Sequence, residues 1–121
     1  MSRLLLVRAP GLSFDLAVRG DEAAHLSDLV AEGSLARIEG PVDLRGAPGG
    51  GRVEVVDLPC GDLAAFDAAL GGLRERAAAG GQEVAVLSES LLISQKALPG
   101  VRPGKPLAGA DVPRLLDALT A

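Results

Sequence analysis

The side chains able to do chemistry are few in this chain, and several of them gather where a strand-like run gives way to a helix-like one. Residues 53–64 read VEVVDLPCGDLA. Cys60 stands just before a helix start, whose partial positive charge stabilises a thiolate, although Asp62 competes for the same helix end. Asp57 follows a Val-Val pair read as buried, at the carboxyl end of a strand, the place where ligand and phosphoacceptor sites lie in parallel α/β sheets. Asp57 and Asp62 together offer two carboxylates to a cation, but no third oxygen-rich ligand accompanies them, so no metal is assigned. His25, the single imidazole, sits beside Leu26 on an amphipathic stretch; nothing marks a nucleophile for it to activate, and it reads as a residue of the core boundary.

Two further segments invite a ligand. The loop RGAPGGGR at residues 45–52 is rich in glycine, yet Arg52 and a strand follow it where a phosphate-binding loop needs Lys, Ser/Thr and a helix. It reads as a hairpin loop, and with no dinucleotide fingerprint elsewhere no cofactor is expected. The connector KALPGVRPGK carries Lys96, Arg102 and Lys105 with no acid between Ser90 and Ala110, which makes it a candidate basic patch for an anion or a partner.

Composition narrows the classes of function. The 121 residues are 48% hydrophobic and 2% aromatic, with no Trp or Tyr, so a base-stacking platform for nucleic acid is excluded. One His and one Cys cannot build a nitrogen–sulfur zinc cage. The formal charge of -4 repels phosphate backbones. The apolar runs are far shorter than the ~20 residues of a membrane span, and the start of the chain lacks the apolar region of a signal peptide. A lone Cys60 fits a reducing cytoplasm, and ten Arg against two Lys, with abundant Ala and Gly, has the look of a GC-rich bacterial genome.

These residues must be positioned by a small set of elements. The pattern predicts a strand over residues 2–8, a turn at Pro10-Gly11, and a second strand over residues 13–19, where Phe14, Leu16 and Val18 alternate with polar or small residues. Asp21 is the expected N-cap of a helix ending at Gly33. Residues 35–44 read as extended, broken at Gly40-Pro41, and Val53, Val55 and Val56 give the strongest strand signal. Asp62 caps the best helix, with Leu63, Phe66, Leu70, Leu73 and Ala77 on one stripe and Gly80-Gly81 ending it; Gly71 and Gly72 within it imply close packing on a sheet. Residues 83–87 read as a buried strand, Ser88 as the cap of a short helix to about Leu98, and Asp111 as the cap of a last helix with Pro113 in its first turn. The expectation is one α/β domain over residues 1–121, a mixed sheet with helices packed on it.

The stretch VEVVDLPCGDLAAFDAALGGLRERAAAGGQEVAVLSE, residues 53–89, resembles the central strand–helix–strand of STAS domains, the sulfate-transporter and anti-sigma-factor-antagonist modules. The following ESLLISQKALPGV is similar to the short helix of that family. The family's phosphoacceptor serine just after the helix-start Asp is replaced here by Leu63 and Ala64, so the resemblance implies a constitutive docking module. It places partner contacts at Cys60, Gly61, Asp62, Leu63 and Ala64. A second resemblance is to a degenerate response-regulator receiver: Val55-Val56-Asp57 looks like the phosphoacceptor strand, Ser88 ends the next strand, and Gly104-Lys105-Pro106 looks like the Lys-Pro before the final helix. It implies a phospho-switch at Asp57 supported by Ser88 and Lys105, although Arg8-Ala9 replaces the family's acidic pair and puts Mg²⁺ in doubt.

Both resemblances imply a protein-interaction domain of bacterial signalling rather than an enzyme, a non-catalytic regulatory or adaptor module; composition and motifs add the expectation of no cofactor, membrane insertion or nucleic-acid partner. The alternatives are the phospho-switch, a thiol enzyme using Cys60, and an assembly subunit forming a homo-oligomer. A ferredoxin-like βαββαβ sandwich is the alternative fold, if residues 35–44 and 53–58 form a hairpin.

Overall fold

Four apolar residues in a row, Leu4, Leu5, Leu6 and Val7, are all buried, and this requires a strand covered on both faces. In the computed structural model, which describes residues 3–18, 23–42, 53–96 and 105–119, they form β1 (Arg3–Arg8). The other strands are β2 (Ser34–Glu39), β3 (Val53–Asp57), β4 (Gln82–Leu87), β5 (Leu91–Ser94) and β6 (Leu107–Ala108). The helices are α1 (Phe14–Val18), α2 (Ala24–Glu32), α3 (Leu63–Ala79) and α4 (Val112–Leu119), the last preceded by a 3-10 turn at Gly109–Asp111. The strands form one mixed six-stranded sheet in the order β3-β1-β4-β5-β2-β6. β1 is parallel to β3 and to β4, β5 runs antiparallel to β4 and β2, and β6 is parallel to β2.

The alternation of side chains along β1 divides the core in two. Leu5 and Val7 join Val84, Val86, Leu91 and Ile93 beneath α2 and α3, where Leu26, Leu29, Phe66, Leu70 and Ala77 are buried. Leu4 and Leu6 join Ala85, Leu87, Leu92, Ala36 and Ile38 beneath Val112, Leu115, Leu116 and Leu119 of α4. Helices therefore cover both faces, and the expected α/β class with a mixed sheet holds. No helix among the described residues is long and apolar enough to cross a membrane.

Several expectations are corrected. The described part of the expected strand 13–19, residues 13–18, is not a strand: Ser13 Oγ accepts the Leu16 N–H (3.1 Å) and starts α1, with Leu12 and Ala17 buried and Leu16 facing solvent. Alternation over so few residues is met equally well by one or two helical turns. The helix expected after Ser88 is strand β5; Ser88 Oγ accepts the N–H groups of Ser90 (3.1 Å) and Leu91 (3.2 Å), closing a tight β4–β5 turn. This also removes the short helix on which the STAS resemblance of residues 89–101 rested. Leu91–Ser94 is buried on both faces, so it shows no period to read. The Val55-Val56 pair is not buried but lies on the edge strand, with Val55 42% exposed.

The alternative folds fail on topology. β2 and β3 do not form a hairpin, since β1, β4 and β5 stand between them, and the helices are not confined to one face as a ferredoxin-like sandwich requires. A receiver needs an all-parallel sheet with its phosphoacceptor strand third in the order; here β3 is the edge and β5 is antiparallel.

The helix expected from residue 21 is Ala24–Glu32; Asp21 itself lies outside the described residues, and the N-cap Ala23 has no capping side chain. Its place is taken from α3. The buried carboxylate of Asp67 accepts the Leu26 N–H (2.8 Å) and the His25 N–H (3.3 Å), so one helix caps another. Gly71 packs not on the sheet but under the His25 ring, while nothing lies within 4 Å of where a Cβ on Gly72 would stand.

This packing makes three substitutions informative about stability. Asp67→Ala leaves both N–H groups without their carboxylate and should lower stability by about 1–3 kcal/mol in urea unfolding. Gly72→Ala should raise it by roughly 0.5–1 kcal/mol, whereas Gly33→Ala, whose Cβ would overlap the Ser94 carbonyl, should lower it in the same measurement.

Candidate functional site

Parallel strands deliver their carboxyl ends to one side of the sheet, and the chemistry-bearing residues of β1, β3 and β4 meet there. The β1–β3 register sets Arg8 opposite Asp57. Arg8 Nε donates to Asp57 Oδ1 (2.5 Å) and Nη2 to Oδ2 (2.9 Å), a two-pronged pair at the surface. That hydrogen bonding holds the Asp57 carboxyl below the usual carboxylate range and raises Arg8 above its ordinary value. Both oxygens expected to accept a phosphoryl group are thus engaged by a guanidinium.

Beside the pair, a groove of about 320 Å³ runs between the ends of β1, β4 and β2, lined by Arg8, Pro10, Pro41, Val42, Ser88 and Glu89 among others. Its rim is braced by the Pro10-Gly11 turn. Gly11 adopts φ 88°, the left-handed region that favours glycine, and its N–H donates to Glu89 Oε1 (3.1 Å). A Cβ at Gly11 would also come within 2.9 Å of the Cys60 carbonyl oxygen. The Cys60 N–H in turn donates to the Pro10 carbonyl (2.9 Å), which ties the approach to α3 to the end of β1.

Cys60 is half-buried, and burial first, with the Asp62 carboxylate second, pushes its thiol above the ordinary value. The helix-start environment therefore does not activate it. Asp62 Oδ2 accepts the Ala65 N–H (3.3 Å) and caps α3 as expected. Gly61, Asp62 and Ala64 are exposed and Leu63 is half-buried, so the five residues of the expected docking segment form one surface strip.

The phospho-switch set is not brought together. Asp57 and Ser88 share the carboxyl side of the sheet with β1 between their strands, but Lys105 leads into β6 at the opposite edge. Five strand spacings of about 4.8 Å place it roughly 24 Å across the sheet from Asp57. Ser88 Oγ already serves the β4–β5 turn. Lys96 and Lys105 of the basic connector are exposed; Arg102 lies outside the described residues, as does the glycine loop 45–52. His25 borders a different cavity of about 330 Å³, with Arg74, Glu75 and Gln82, near the amino end of β4. Among the described residues no group of three or more His, Cys, Asp and Glu could hold a metal ion.

The outer side of β3 is the feature that sequence reading passed over. The Leu58 N–H donates to the Arg8 carbonyl (2.8 Å), so by the alternation of a parallel ladder Glu54, Val56 and Leu58 turn their backbone groups toward β1. Val53, Val55 and Asp57 consequently turn theirs outward, and no strand among the described residues pairs with them. Val55 lies on the α4 face of the sheet but beyond the reach of α4, and is exposed. Its register partner Leu6 is buried on that face, so only the position at the edge sets the two apart.

Comparison with protein-family models, with curated proteins and with solved structures finds no match. Cys60 supplies a direct check on the chemistry: the native thiol should react with iodoacetamide near neutral pH more slowly than free cysteine does. Because its thiol titrates higher, the rate should keep rising with pH beyond the point where free cysteine levels off, as followed by intact mass.

Proposed function

We propose that this chain is a non-catalytic protein–protein interaction domain, a regulatory or adaptor module of a bacterial cytoplasm, that binds through the outer edge of β3. The observation that carries the reading is the edge of β3, left unpaired among the described residues: Val53, Val55 and Asp57 present outward N–H and C=O groups beside the exposed Val55 side chain. An added strand satisfies such groups by main-chain hydrogen bonds and takes specificity from alternate side chains. The surface continues along the chain into Cys60, Gly61, Asp62, Leu63 and Ala64, the helix start that the STAS resemblance of residues 53–89 singles out for partner contacts.

The side chains most suited to chemistry support this reading by the structural work they do. Asp57 holds Arg8, Asp62 caps α3, Ser88 closes a turn, and the Cys60 thiol is raised rather than activated. Binding by backbone shape needs none of them free.

A charge at the centre of the edge tests the proposal. Val55→Lys should leave the far-ultraviolet circular dichroism spectrum unchanged, since the residue is exposed on the single chain, and weaken retention of co-purifying protein by about tenfold or more in quantitative pull-down. Retention equal to that of the unsubstituted chain would remove β3 as the docking edge.

A further inference from the structure

An exposed strand edge is a template for pairing, and proteins protect such edges with charge, proline or cover. On β3 the charges that would do so are neutralised from within. Asp57 is drawn back by Arg8 of β1, and Glu54 forms an ion pair with Arg76 of α3. The next outward-facing backbone position after Asp57 is Pro59, which has no N–H to offer, so the pairing surface ends there.

The edge is also self-complementary in one register. With a two-fold axis at Val55, an antiparallel copy sets Val55 against Val55, Val53 against Asp57 and Glu54 against Val56. All five residues of β3 are then paired, outward-facing backbone groups meet outward-facing ones, and no carboxylate stands opposite another. An axis at Glu54 or at Asp57 brings like charges together, and one at Val56 sets Val53 against Pro59, which lacks the donor.

We propose that β3 pairs with β3 of a second copy of this chain, antiparallel about Val55, joining the two sheets into one twelve-stranded sheet across a closed two-fold interface. This rests on β3 being the docking edge and names its occupant. The two Val55 side chains meet on the face that α4 leaves uncovered, and each Asp57 and Glu54 keeps its own arginine.

Light scattering after size exclusion, across a concentration series, reads the outcome. The full chain should run as a dimer. Val55→Pro, which removes only an outward N–H and spares the bonds to β1, should run as a monomer, and so should Val55→Lys; the dimer dissociation constant should rise by about tenfold or more. Leu16→Lys, at the exposed side of α1, should remain dimeric. Hydrogen exchange adds the residue-level readout: the Val53, Val55 and Asp57 amides should be slowed in the dimer and fast in Val55→Lys, with Glu54, Val56 and Leu58 protected in both. A chain that is monomeric at every concentration overturns the pairing, as does a dimer that survives both Val55 variants with those three amides fast. If the chain is monomeric while Val55→Lys still weakens pull-down of another protein, the docking edge stands and only its occupant is wrong. If Val55→Lys changes neither, both readings fall.

Discussion

Everything in this domain is arranged around the burial of β1 on both faces and along both sides. Leu4, Leu5, Leu6 and Val7 are removed from water entirely or nearly so, and the strand pairs in parallel with β3 on one side and β4 on the other. A strand so placed cannot be covered by helices on one face alone, which is why α2 and α3 take one side and α4 the other. Parallel pairing requires crossovers, and those crossovers carry α3 and the α1–α2 pair. It also brings the ends of β1, β3 and β4 to the same side, where Arg8 meets Asp57 and the groove opens.

The polar residues that survive in such an interior are engaged in holding elements together. Asp67 is the clearest case, a buried carboxylate whose two oxygens terminate a neighbouring helix that has no cap of its own. Arg74 reaches across the same helix pair, donating to the His25 carbonyl (3.3 Å) and pairing with Glu32 (2.8 Å). Arg37 stacks over the Phe14 ring, 4.8 Å from its centre, and so ties β2 to α1. With these side chains committed, the exposed features of the described residues include a strand edge, a groove and a strip at the start of α3.

Where local chemistry is self-contained, the sequence was legible. Asp62, the stripe through Phe66, Leu70 and Ala77, and the closing Gly80-Gly81 define α3 without any knowledge of the sheet, because cap, face and stop all lie within one helix. The buried face of α4 was legible too: Val112, Leu115, Leu116 and Leu119 face the core as their spacing demands, while Asp111, the expected cap, lies in the 3-10 turn before the helix. The errors fall where a short run satisfies two periods at once. Residues 14–18 alternate and yet form a helix, and Leu91–Ser94, buried on both faces, has no period at all. The reading of Ser88 as a helix cap was correct in chemistry and wrong in setting, since its hydroxyl accepts local N–H groups in a turn as readily as at a helix start.

The sequence by itself determined the class of the fold, the buried faces of α3 and α4, and the scarcity of reactive side chains, because composition and periodicity are properties of the chain taken alone. Strand order is not such a property. That β3, the strongest strand signal, is an edge, that Arg8 lies beside Asp57 at a separation of 49 residues, and that Asp67 caps α2 were decided only by the tertiary structure. Each depends on which segments become neighbours in space, and burying β1 between two parallel partners is the constraint that makes that choice.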